Sequence, residues 1–173
     1  MCGDVIEIRA EEPGDIAGVR AVNEAAFPTS AEADLVDALR DAGAHEVSLV
    51  AVEGDRVVGH ILFSPATIEA EGESIDAIGL APMSVVPALQ RGGIGSRLVR
   101  EGLARCEALG HRTVIVLGHA AYYPRFGFLQ ADEFNLRCEF PSPPESFMVR
   151  GYDGESFGGR PALARYHAAF NDL

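Results

Sequence analysis

The sequence predicts a mixed α/β or α+β fold, a single sheet with helices on its faces. Three observations predict it. Runs of strand length, alternating or wholly apolar, occur in both halves of the chain; amphipathic runs of helical period lie between them; and the runs end at glycine- or proline-bearing turns. The resulting order is strand, two helices, three strands, helix, strand, short helix, strands. A chain of 173 residues, 47% hydrophobic and 23% charged, fits one domain spanning residues 1–173 with a real core.

Each element has its own signal. Val5 to Arg9 alternates as a first strand. Pro13-Gly14-Asp15 reads as a turn ending in an N-cap. Ile16, Val19, Asn23, Ala26 and Phe27 then follow at helical spacing until Pro28 breaks the run. Thr29-Ser30-Ala31-Glu32 has the capping-box pattern ahead of Leu35, Val36 and Leu39, with Gly43 as the stop. Val47 to Val52 and Val57 to Ile68 flank the turn Glu53-Gly54-Asp55-Arg56, a hairpin. A second turn at Glu71-Gly72-Glu73 leads into Ile75 to Val86. Pro82 lacks a ladder donor and is expected to bulge that strand or leave one side of it unpaired. Ile94, Leu98, Gly102, Cys106 and Leu109, reinforced by Val99 and Leu103, form one helical stripe that Gly110 closes. Thr113 to Leu117 is a short run of the fully buried strand type. Ala120 to Arg125 suits one or two helical turns. Phe128-Leu129 and Phe147 to Val149 are short strand candidates in a remainder rich in Pro and Gly.

Composition narrows the function. The formal net charge is -12, a field that repels nucleic acid and anionic membranes and favours a cationic substrate, unless the acidity only maintains solubility. All 14 basic residues are arginine, so the protein has no lysine of its own to modify. No apolar run approaches the ~20 residues of a membrane span. Met1-Cys2-Gly3-Asp4 lacks a basic head and apolar stretch, so a cytoplasmic location is expected. Cys2, Cys106 and Cys138 form no metal-ligand pattern and suggest no disulfide; Cys106 is expected as a buried thiol. No metal is expected.

The informative stretch runs from Ser84 to Leu98, where an apolar strand enters a glycine-rich turn that opens directly into a helix. First-turn helix amides lack intrahelical partners and carry the positive end of the dipole. Glycines at 92, 93 and 95 remove the side chains that would keep an anion away from them. From Arg91 to Arg112 five arginines face two acids, a positive segment in an acidic chain. A diphosphate site is the direct reading; a solvated helix face with a flexible lead-in is the plain alternative. A P-loop needs a lysine that the chain lacks. A dinucleotide fingerprint needs a third glycine where Leu98 stands.

Val85-x-Pro87-x-x-Gln90-x-x-Gly93-x-Gly95 resembles motif A of the GCN5-related N-acetyltransferase (GNAT) superfamily. Thr113 to Gly118 followed by Ala121-Tyr122-Tyr123-Pro124-Arg125-Phe126-Gly127-Phe128 is similar to its motif B. Gly59-His60-Ile61-Leu62, Gly79-Leu80-Ala81-Pro82 and Tyr166-His167-x-x-Phe170 are similar to its YhbS-like branch. The resemblance covers nearly the whole chain. It implies the acyl-CoA N-acyltransferase fold, a single mixed, mostly antiparallel sheet flanked by helices. It also implies acetyl-CoA as cosubstrate, its pyrophosphate on the backbone of Gln90, Arg91, Gly92, Gly93, Ile94, Gly95, Ser96 and Arg97. Val85 and Val86 would bind the pantetheine arm and thioester carbonyl.

The implied reaction is direct attack of a neutral primary amine on the thioester in one ternary complex. A backbone N–H near Val85 or Val86 would meet the oxyanion. Tyr123, four residues before Gly127, matches the family's tyrosine acid, and packing of its ring on the cofactor is the plainer role. Glu24, Glu32, Asp76 and His119 are candidates for the base, and a water chain is an equal alternative. His60, within a strand, is expected as a structural histidine. The acceptor stays open between small molecules and proteins, and a homodimer is common in the family. Transfer of another short acyl group, or a coenzyme A sensor without turnover, are the competing readings.

Overall fold

The computed structural model describes residues 4–173; Met1, Cys2 and Gly3, read above for a leader and a thiol, lie outside the described residues. Among the described residues there are nine strands and three α-helices. In chain order they are β1 (Ile6–Ala10), α1 (Ile16–Ala26), α2 (Ala31–Asp41), β2 (Val47–Glu53), β3 (Arg56–Ala70), β4 (Glu73–Val85), α3 (Ile94–Ala108), β5 (Val114–Leu117), β6 (Leu129–Gln130), β7 (Leu136–Cys138), β8 (Phe147–Arg150) and β9 (Ala162–Arg165). The strands are hydrogen-bonded in the order β1-β2-β3-β4-β5-β8-β6, with β9 paired to β3 and β7 to β9. The β4–β5 and β7–β9 pairings are parallel, while β1–β2, β2–β3, β3–β9, β5–β8 and β6–β8 are antiparallel. This is the mixed, mostly antiparallel sheet with helices that the sequence predicts.

The chain divides into two compact units. The first holds residues up to Phe63, Pro82–Arg105 and Ala168–Leu173; the second holds Ser64–Ala81 and Cys106–His167. In the first, Val19 and Val22 of α1 and Leu35, Val36 and Leu39 of α2 are buried, as the helical spacing requires. On α3, Leu98, Val99 and Leu103 are buried. Gly102 belongs to the same stripe for a steric reason: a Cβ there would stand 2.3 Å from the Phe63 ring, so the helix seats against β3 only with hydrogen at that position. In the second unit β5 lies between β4 and β8, and Val114, Ile115 and Val116 are buried, which explains its uninterrupted apolar run.

Several local expectations are corrected. Asp15 does not cap α1 with its side chain. Its carboxylate turns back to accept the Glu12 N–H at 2.8 Å and to pair with Arg9 at 2.7 Å, tying the turn to β1. The Thr29–Glu32 capping box does not form: the N-cap of α2 is Ser30, with no side-chain cap, and Thr29 Oγ1 accepts from Ala31 N instead. Ile16 and Leu109, assigned to buried stripes, are 40% and 59% exposed because each stands at a helix end where the covering layer stops. The short helix is one 3₁₀ turn, Tyr123–Phe126, ended by Gly127 at φ 89°. β7 and β9 are three- and four-residue strands, too short to show a period in the sequence. The expectation for Pro82 is not among the corrections: the β4–β5 pairing covers only Ile78–Leu80 with Val114–Val116, so Pro82, two residues beyond its end, stands outside that pairing.

Candidate functional site

The glycine-rich turn follows β4 directly. Val86 N–H donates to Val58 O at 2.9 Å, so that amide is already held by β3. Strand alternation turns the peptide groups of Val85 to the opposite edge. Gln90 marks that direction, its Nε2 donating to Val85 O at 3.0 Å. Of the two strand amides offered by the sequence, the one turned away from β3 is therefore that of Val85, and the Gln90 side chain braces the turn.

Pro87–Leu89 makes a 3₁₀ turn, and Arg91 and Gly93 then take φ of 65° and 91° to swing the chain into α3. The left-handed backbone at Arg91 costs on the order of 1 kcal/mol for an L-residue, strain placed just where the sequence points to an anion. The first bond of the helix runs from Arg97 N to Gly93 O at 3.1 Å. The amides of Ile94 and Gly95 precede that bond, at the positive end of the helix. A Cβ built on Gly93 would meet nothing within 4 Å, so the turn is open at that position. Arg91 is exposed at the turn. Arg97 is partly committed elsewhere, Nη2 donating to Ile6 O at 2.9 Å, and Arg105 pairs with Glu101.

Tyr123 belongs to the second unit and is 7% exposed. Its ring lies on Gly118, where a Cβ would come within 2.3 Å of it, and meets Tyr122 and Phe128 edge-on at 5.1 and 5.6 Å between centroids. Burial, and to a lesser degree Tyr122, push the phenol far above its usual range. At neutral pH it is a proton donor.

The base candidates separate by their partners. Glu24 pairs with Arg20 at 2.9 Å. Asp76 and His119 are exposed. Glu32 has one buried carboxylate oxygen, Oε2, with no hydrogen-bond partner among the described residues. His60 is structural, as expected: it is fully buried, Asn23 Nδ2 contacts its Nδ1 at 3.3 Å, and its Nε2 lies 3.0 Å from Ser48 Oγ. Asn23 Nδ2 also donates to Val19 O at 3.0 Å. This fixes Nδ1 as the acceptor and Nε2–H as the donor to Ser48, whose own hydroxyl donates to Glu11, a partner of Arg40. The ring cannot take the Ser48 proton, so the cluster is not a nucleophilic serine site. Sequence reasoning missed this chain of partners because its members lie on β2, α1, α2 and the residue after β1. Among the described residues no group of three His, Cys, Asp or Glu side chains is placed to hold a metal, and no helix is long and apolar enough to cross a membrane.

With this geometry in hand, comparison with known proteins is specific. A family profile described as acetyltransferase (GNAT) domain matches residues 7–131. The chain is similar to YhbS of Escherichia coli strain K12, an uncharacterized N-acetyltransferase, at 36% identity over 165 residues, 95% of this chain and 98% of that protein. It is 42% identical over 137 residues to YjhQ of the same strain, also an uncharacterized N-acetyltransferase, across 78% of this chain and 76% of that one. Among solved structures, E. coli YhbS in complex with CoA superposes with a TM-score of 0.85, covering 96% of this chain and 92% of that chain. A GNAT family acetyltransferase from Brucella melitensis in complex with acetyl-CoA gives a TM-score of 0.78 at 38% identity, covering 96% and 99%.

Proposed function

Because this chain belongs to the GNAT family of acetyltransferases, we propose that it transfers an acetyl group from acetyl-CoA to a primary amine, by direct attack in one ternary complex. The observation that carries the reading is the turn at 90–93, where Arg91 and Gly93 adopt left-handed backbone, with open space at Gly93, and lead directly into the N-terminus of α3. That cradle suits a diphosphate, and the relatives solved with CoA and acetyl-CoA support this ligand. The reading assigns the pyrophosphate to the backbone of 91–96 and to Arg91, the thioester carbonyl to the Val85 amide, and the leaving thiolate to Tyr123.

The amine nitrogen attacks the carbonyl carbon, the C–S bond breaks with its electron pair on sulfur, and Tyr123 supplies the proton that makes the thiol. Its raised pKa keeps that proton in place until a thiolate is there to take it. The proposal includes a cytoplasmic setting, and the whole chain acting as one catalytic domain in a homodimer.

The test is a panel of small amines, peptides and proteins incubated with the full chain and acetyl-CoA, reading thiol release. At least one amine should accelerate release, and Tyr123→Phe should lower kcat about 10²–10⁴-fold with acetyl-CoA affinity by calorimetry within about threefold. Binding of acetyl-CoA without acceleration by any amine would leave the sensor reading in its place. Unchanged turnover in Tyr123→Phe would remove the phenol from the mechanism.

A further inference from the structure

In the second unit, Val114, the first residue of β5, is paired with Arg150, the last of β8. Beyond this pair the two segments stay locked together. Thr113 Oγ1 donates to Gly151 O at 3.1 Å, and Gly151, at φ 76°, lies so close that a Cβ there would stand 1.9 Å from Arg112 O. Arg112 and Arg150 are thereby brought to one cavity of about 640 Å³, which they line with Glu107, Gly110, His111 and Gly151. Arg150 is oriented: its Nε–H donates to Phe126 O at 3.1 Å, and Gly127 makes room, since a Cβ there would stand 3.4 Å from that nitrogen. The two Nη nitrogens of Arg150 and the whole guanidinium of Arg112 have no acceptor among the described residues. Arg9, Arg20, Arg40, Arg105, Arg160 and Arg165, by contrast, are each paired with an acid. The acid on the cavity wall, Glu107, forms an ion pair with neither arginine.

We propose that this cavity binds a phosphate group, at a site separate from the turn into α3 and independent of the acetyl transfer proposed above. A guanidinium is a planar fork that engages two oxygens of one anion at once. Two such forks on one cavity suit a tetrahedral dianion, which offers oxygens to both, better than a carboxylate, which has only two. The bond to Phe126 O fixes the direction of the Arg150 fork beforehand and so lowers the ordering cost of binding. The carbonyls at the end of α3 do not compete for the two arginines. Cys106 O accepts from Leu109 and His111, and Glu107 O accepts from Gly110. The cavity is larger than one phosphate, so inorganic phosphate and a phosphomonoester with a small organic remainder share the chemistry it recognises. Tyr123 follows the carboxyl end of β5, whereas this cavity lies at the amino end, so the two sites occupy opposite ends of one strand.

The experiment is calorimetry on the full chain with inorganic phosphate and, in parallel, glycerol 3-phosphate. Ionic strength is held constant with chloride, and saturating coenzyme A keeps the phosphate-binding groups of the cosubstrate site occupied. At least one probe should bind, and the tighter of the two identifies the source as the free ion or an organic phosphate. Arg112→Gln removes an exposed guanidinium without breaking a hydrogen bond among the described residues, and should weaken binding about tenfold or more. Arg150→Gln should weaken it at least as much. That change also breaks the bond to Phe126 O, so its melting temperature without phosphate is measured alongside. Glu107→Gln removes the acid from the wall and should tighten binding about threefold. No binding of either probe, affinity unchanged in Arg112→Gln, or weaker binding in Glu107→Gln would overturn the proposal. The two readings fail separately: a chain that does not bind coenzyme A loses the acetyl-transfer reading, while Arg112→Gln still reports whether phosphate sits in this cavity.

Discussion

His60 is held neutral by burial, its ring nitrogens spent on Asn23 and Ser48, and desolvation together with the charge of Arg40 lowers its pKa to about 3. The sign of the linkage follows. Below about pH 6.5 the unfolded chain takes up a proton that the folded ring refuses, so stability falls as pH falls, by about 1.4 kcal/mol per unit until the folded pKa is reached. Carboxylates held low by arginines, Asp15 by Arg9 and Asp34 by Arg20, add their own loss only further down, below about pH 4. Urea unfolding at pH 7 and pH 5 should therefore differ by about 2 kcal/mol in the native protein, and His60→Gln should flatten that slope. An equal slope in the variant would assign it to other groups. The histidine's structural role was legible from its place in a strand. Its partners were not, because Asn23 and Ser48 reach it from separate segments, and Ser48 in turn donates to Glu11 from a third.

At the scale of the element, the turn into α3 separates what a glycine does for backbone and for ligand. Gly93 sits at φ 91° with open space where a side chain would go. Gly93→Ala then carries backbone strain alone, about 1 kcal/mol of stability, and should bind acetyl-CoA within a few-fold of the native chain. Gly93→Glu adds a carboxylate at the mouth of the amides and should abolish measurable binding by calorimetry while its circular dichroism stays native. Equal affinity in both variants would move the phosphates elsewhere. The glycine cluster, the proline before it and the stripe of α3 were readable because each is a local steric signal. Which strand amide faces away from β3 was not: that depends on the register of β4 against Val58, a contact 28 residues away along the chain.

Over the whole molecule, charge has the longest reach. The chain carries 26 acidic residues against 14 arginines. Many of the arginines are engaged by acids, Arg20 with Glu24, Asp34 and Asp37, Arg160 with Glu71 and Glu73, and Arg165 with Glu69 and Glu139. The remaining field attracts cations at long range and is screened by salt. The KM of a cationic amine should rise several-fold between about 0.05 and 0.5 M salt, and that of a neutral amine should not; equal behaviour of the two would show that the acidity serves only solubility. The order of elements, the family and the glycine-rich turn were determined by the sequence alone, because propensity, turn chemistry and apolar period are local properties of neighbouring residues. The tertiary structure alone decided which helix ends are left uncovered, how short β7 and β9 find their partners, where the β4–β5 pairing stops, and that Arg112 and Arg150 line one cavity. Each of these depends on what a distant segment brings to within a few ångströms, and no local pattern carries that information.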